Sequence, residues 1–206
     1  MLVSESTLRF RERDEVVADL THHCWSDAQR ALVALHTPSD APADLDSTTY
    51  WVDWGSDPAA AASGRRFTRV AASMFLHWEQ LREAYDACAR AVLYAALTAS
   101  ADGEGRVATQ GHVLRESDLF NTLAVEVTIH HLDLVAHLPA GVGPRPEALR
   151  GAREVVDAVA LEVAGLPFPT AWDDPVVVRI ATGREEPDLS VREGLGVLAD
   201  RLPLFT

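Results

Sequence analysis

Cysteine is scarce in this chain: Cys24 and Cys88 are the only two among 206 residues. They form no metal-type or redox pair, and free thiols in a reducing cytoplasm are the expectation. Positive charge is also short, with 18 Lys and Arg against 31 Asp and Glu, for a net charge of −13. That balance argues against a nucleic-acid partner held by phosphate neutralisation. No apolar run approaches the roughly 20 residues needed to span a bilayer. The N-terminal MLVSESTLRFRERDE is too charged for a secretory signal, so a cytoplasmic protein without a membrane partner is expected. A Ser-His-Asp order, a Gly-rich phosphate loop and a C-x-x-C motif are all missing, as are internal repeats and low-complexity tracts. What is present is 48% apolar residues, enough for one sizeable domain, alone or with a small appendage.

Helical spacing dominates what remains. A first helix is expected from about Asp14 to Leu35, ended by Thr37-Pro38-Ser39-Asp40-Ala41-Pro42. A loop to about Gly64 carries Tyr50, Trp51 and Trp54, more aromatics than a linker needs. Val70, Met74, Trp78, Leu81, Tyr85, Cys88 and Leu93 suggest a second helix over about Arg66 to Ala96. Ser100 to Gly111 reads as a turn or short hairpin. Gly141 to Pro146 is a break, and a helix follows from Glu147 to Ala164. Val176-Val177-Val178-Arg179-Ile180 reads as the one strand, and Ser190 as the cap of a last helix, Val191 to Arg201. The expected architecture is mostly all-α: a bundle over 1–140, then an extension over 141–206 containing a short strand and a helix.

The stretch Leu119 to Leu138 carries the chemistry. At roughly 100° per residue, Glu126, His130, Asp133 and His137 share one stripe about 60° wide. Apolar flanks border it: Val125, Ile129, Leu132 and Ala136 on one side, Leu123, Val127, Leu134 and Leu138 on the other. A solvated face would lie opposite the apolar arc, not within it. Two carboxylates and two imidazoles are therefore expected to point inward, where charge must be paired or bound to metal. Glu126 and His130 stand one turn apart, a spacing suited to a divalent ion, zinc above all. The competing reading is a buried carboxylate–imidazole pair that fixes helix packing. Asp133 is expected to orient a ligand imidazole rather than bind metal. His22, His36 and His131 read as surface residues, and His77 as a core imidazole.

Thr122 to Leu134, T-L-A-V-E-V-T-I-H-H-L-D-L, resembles the E-x-x-x-H-x-x-D helix of the DinB-like, maleylpyruvate isomerase N-terminal domain family. Arg13 to Leu20 resembles that family's earlier R-D-V-V-A-H-L helix. Ala181-Thr182-Gly183-Arg184 and Leu195 to Leu204 resemble the C-terminal extension of its actinobacterial members. The resemblance implies a DinB/YfiT-like four-helix bundle that binds a divalent metal. It further implies mycothiol, or another low-molecular-weight thiol, used for isomerisation or S-transfer on a small electrophilic molecule. Arg184 becomes a candidate for holding an anionic substrate or cofactor, with a solvated turn arginine as the alternative.

The chain departs from the pattern at the earlier helix. The family's histidine ligand aligns with Asp19, a carboxylate that can still bind zinc, and His23 lies one turn further on. Helical spacing places both opposite the apolar arc of Val17, Leu20, Cys24, Ala28, Ala31 and Leu35, toward solvent unless they line a cleft. The family's preceding helix has only about a dozen polar residues in its place. An apolar groove beside the Leu119–Leu138 helix would then need a cover. A homodimer partner is favoured; the aromatic loop Tyr50 to Trp54 or the tail Leu202 to Phe205 is the alternative. A non-catalytic bundle with a degenerate site is the second functional reading.

Overall fold

The structure is a computed structural model that describes residues 9–10, 15–52, 58–99, 105–136, 138 and 140–205. It is mostly helical. A two-residue ladder, β1 (Arg9–Phe10) with β2 (Glu15–Val16), leads into α1 (Val17–Leu35). Then come α2 (Thr49–Val52), α3 (Pro58–Ala72), α4 (Trp78–Thr98), the hairpin β3 (Arg106–Thr109) and β4 (His112–Arg115), and α5 (Glu116–Val135). The chain ends with α6 (Pro146–Ala164), α7 (Asp174–Ala181), α8 (Leu189–Leu195) and a 3₁₀ turn over Gly196–Arg201.

α1 is the central element. It packs against α4, α5 and α3, while α5 turns its other flank to α6, and α6 in turn carries α7. This position makes α1 buried nearly all round: Asp19, Leu20, Thr21, His22, Cys24, Ala28, Ala31 and Ala34 are all inside. His22 is therefore a core residue, edge-on to Trp25 and Phe75, whereas His36 is exposed as its spacing suggests.

The helix expected over 66–96 is two helices. Residues 73–77 break it, and the side chain of Gln80 accepts from the backbone N–H of His77 at 3.3 Å. His77 precedes the first turn of α4 and is exposed rather than in the core. The hairpin turns on Gln110 and Gly111, with φ of 51° and 85°. Two consecutive positive φ values make the primed turn that matches strand twist. The loop from Thr37 is pinned to this hairpin: Asp44 accepts from the Val113 N–H at 2.7 Å, and Ala108 N–H donates to Thr37 O. Asp118, in the first turn of α5, accepts from the Ser47 N–H at 3.1 Å.

The expected strand Val176–Ile180 is helical and forms most of α7. Asp173 and Pro175 are helix-start residues, and the buried set Val177, Val178, Ile180 and Ala181 follows helical spacing. Packing against α6 overrides the β preference of the valines. These residues join Val125, Ile129, Val156, Val159, Phe168 and Phe205 in the main core. Arg153, itself buried, donates to the carbonyls of Phe168, Pro169 and Trp172 and pairs with Asp157 at 2.6 Å, tying the α6–α7 loop down. Among the described residues no helix is long and apolar enough to cross a membrane.

Candidate metal centre

The stripe predicted on α5 faces inward. Glu126 and His130 are buried, and Val125 and Ile129 on one flank are 3% exposed. The other flank divides: Leu123 is buried, but Val127 is 48% exposed. Thr128 is buried and donates to Ala124 O. His131 reaches Val142 O with its Nε2. His137 lies outside the described residues, as does Trp54.

His130 is gripped from both ring nitrogens. Its Nε2 lies 3.2 Å from Glu126 Oε2 and its Nδ1 lies 3.1 Å from Asp133 Oδ2. Burial alone would push the imidazolium down. Hydrogen bonds to Asp133 and Glu126, with the charge of Glu126, outweigh it and hold His130 up at about 9. The partners move the opposite way. Burial would raise Asp133, but His130 and Arg184 hold it at about 2. Glu126 is likewise kept below the usual carboxylate range by His130, against its burial.

Arg184 is neither a solvated turn residue nor a free anion receptor. Its Nε and Nη2 donate to the two oxygens of Asp133 at 2.8 and 2.7 Å, and its Nη1 donates to Thr182 O at 3.0 Å. A bidentate guanidinium fixes both the position and the plane of a carboxylate. Arg184 therefore orients Asp133, which orients His130. Arg184 was expected to hold a cofactor; the structure gives it this positioning role, with three of its five N–H groups engaged by α5 and by its own turn.

From α1 the structure brings His23 to the site, not Asp19. The His23 ring stands edge-on to His130, with centroids 4.8 Å apart and planes at 87°. His23, Glu126 and His130 each offer one ligand atom within 4.8 Å of the others. Asp19 is 4% exposed and its Oδ2 accepts from Arg69 Nε at 3.2 Å, a separate ion pair with α3. Both lie on the side of α1 that spacing assigned to solvent. Asp19 is enclosed under α3, whereas His23 meets α5 with its side chain still 37% exposed.

Asp27, one turn beyond His23, was not foreseen as part of the site. Its Oδ1 accepts from Arg30 Nη2 at 3.2 Å. Its Oδ2 lies 3.3 Å from His23 Nε2, yet is buried and makes no hydrogen bond. Burial, reinforced by the charge of Glu126, raises its carboxyl against the pull of His23 and Arg30. The i, i+4 spacing of His23 and Asp27 was the available signal; a polar face read as solvated concealed it.

This donor set fits a divalent ion. Two ligands of one tetrahedral zinc stand roughly 3.4 Å apart, given bonds of about 2.0–2.2 Å. Glu126 and His130 already stand at that separation. Two imidazoles and one carboxylate are borderline ligands that suit zinc, and also nickel or iron. Asp133 supplies the carboxylate that usually supports a ligand histidine, and Asp27 Oδ2, 3.3 Å from His23 Nε2, adds an acceptor beside the cluster. Cys24 also borders the site; burial drives its thiol far above the ordinary range and disfavours the thiolate. Comparison with protein-family models, curated proteins and solved structures finds no match to this chain.

Proposed function

We propose that the protein binds one divalent ion, zinc by preference, through His23, Glu126 and His130, and that it is a thiol-dependent isomerase or transferase of small electrophilic molecules. The observation that carries this is the meeting of a histidine from α1 with the Glu126–His130 pair of α5. A first-helix histidine opposite an E-x-x-x-H-x-x-D helix is what the DinB-like resemblance implies, and the chain order of α1, α4, α5 and α6 suits a four-helix bundle of that kind. An ion held by two imidazoles and one carboxylate keeps open positions and lowers the pKa of a thiol placed there. The chain's own groups do the rest. Asp133 and Arg184 fix the His130 ring, so that Nε2 faces the cluster. Glu126 takes the partner position on the same face. With the Cys24 thiolate disfavoured, the nucleophilic thiol comes from a bound cofactor such as mycothiol.

A second reading is a non-catalytic bundle. It is favoured by the completeness of the buried network itself: His130 and Arg184 balance Glu126 and Asp133 without any ion. Metal analysis of the purified protein separates the two. One equivalent of metal, lost in both His23→Ala and His130→Ala, supports the enzyme; a metal-free protein that resists zinc loading supports the structural network.

A further inference from the structure

A cavity of about 570 Å³ lies between α4 and α5 above α1. Small-molecule sites usually span about 300–1,000 Å³. Asp27, Glu126 and His130 line it together with Cys24 and Tyr85, and Asn121 and Thr128 add two further polar groups. The remainder is formed chiefly by Val92, Leu93, Phe120 and Leu123, with the small side chains of Ala89 and Ala96 leaving room along α4. Among the described residues no arginine or lysine lines it, and neither Tyr50 and Trp51 of the loop nor residues 202–205 of the tail reach it. Phe205 stacks on Trp51 at 4.6 Å within the main core, and the Leu204 N–H donates to Ala181 O.

Resting on the metal centre proposed above, we infer that this cavity takes a small molecule with an apolar body and one hydrogen-bond-donating head, a thiol or an alcohol. The head sits beside Asp27, whose buried Oδ2 accepts no hydrogen bond and stands 3.3 Å from the His23 ring nitrogen. The body lies along the apolar walls of α4 and α5. A sugar-based thiol such as mycothiol would find only Asn121 and Thr128 as further polar groups along these walls and would leave most of its hydroxyls unpaired, which is costly. The apolar cavity is thus a site for an apolar thiol or alcohol rather than for a polar thiol cofactor.

The test is displacement of N-phenyl-1-naphthylamine, a neutral dye that fluoresces in apolar sites, from zinc-loaded protein. The competitors are two matched series, ethanethiol to hexanethiol and ethanol to hexanol. Each added methylene should tighten binding about fourfold. N-acetylcysteine should compete about tenfold more weakly than hexanethiol, or worse. Asp27→Leu should weaken both series by a common factor of about tenfold without changing the slope. Ala96→Phe and Ala89→Leu, on a helix that carries no ligand, should weaken hexanethiol while zinc content stays the same. A flat chain-length series, or equal competition by N-acetylcysteine, overturns the inference. If the protein takes up no zinc, the metal reading fails by itself, and the alcohol series on metal-free protein still decides the cavity.

Discussion

Replacing Arg184 separates the two jobs of the Asp133 network. The Arg184 and Asp133 side chains are 5% and 12% exposed, and two hydrogen bonds of 2.7 and 2.8 Å join them. Removing one member of such a pair leaves a buried charge uncompensated, which costs about 3–5 kcal/mol. Arg184→Met should therefore destabilise the metal-free protein by about that amount. The double variant Arg184→Met with Asp133→Leu removes both charges. It should recover most of the loss, falling short by about 1–3 kcal/mol for the His130 N–H left without an acceptor. Metal affinity should behave differently. The double variant still lacks the carboxylate that orients His130, so zinc affinity should stay about 10–100-fold below that of the parent. Urea unfolding of metal-free protein gives the first quantity, and competition with a zinc chelator gives the second. Recovery of both stability and zinc affinity in the double variant would refute the reasoning, because Asp133 would then serve only to neutralise Arg184.

Three further outcomes follow from the geometry. His130→Ala and His23→Ala should each abolish stoichiometric zinc while circular dichroism keeps its helical signal; Asp19→Ala should retain zinc, since Asp19 is held by Arg69. Stability of the metal-free protein should depend on pH in two windows. Asp133 is depressed to about 2 from an ordinary 3.8, so its contribution, on the order of 2 kcal/mol, is present above that ordinary value and lost as pH falls from about 4 to 2. Asp133→Asn should flatten this acid limb in unfolding titrations. His130 is raised from 6.5 to about 9, so its contribution is full below about 6.5 and fades as pH rises through 9. Zinc takes the place of the Nε2 proton, so the zinc-loaded protein should gain affinity over that same rise. Finally, Phe168 is 1% exposed in the core shared by α5, α6 and α7. Phe168→Ala should cost about 3–5 kcal/mol by chemical denaturation yet leave zinc stoichiometry unchanged in the folded fraction.

The sequence by itself determined the working face of α5. Glu126, His130 and Asp133 stand at i, i+4 and i+7, and helical pitch alone stacks such residues on one stripe whatever surrounds them. The supporting role of Asp133 was legible for the same reason, since its bond to His130 closes within one turn. Local spacing also marked α1, the hairpin and α6. It could not say which side of α1 faces solvent, because that depends on how many helices surround it. With α3, α4 and α5 all packed on α1, Asp19 becomes interior and His23 half-buried, and the choice between them falls to which neighbour each meets. Arg69 meets Asp19 and α5 meets His23. The Arg184–Asp133 pair spans 51 positions, a distance over which no periodicity carries information. The valine run at 176–178 has the composition of a strand but lies where α6 offers a helical partner and the sheet edge is absent. Local side-chain preference was outweighed there by the burial of one helical face, a quantity that exists only once the tertiary fold has formed.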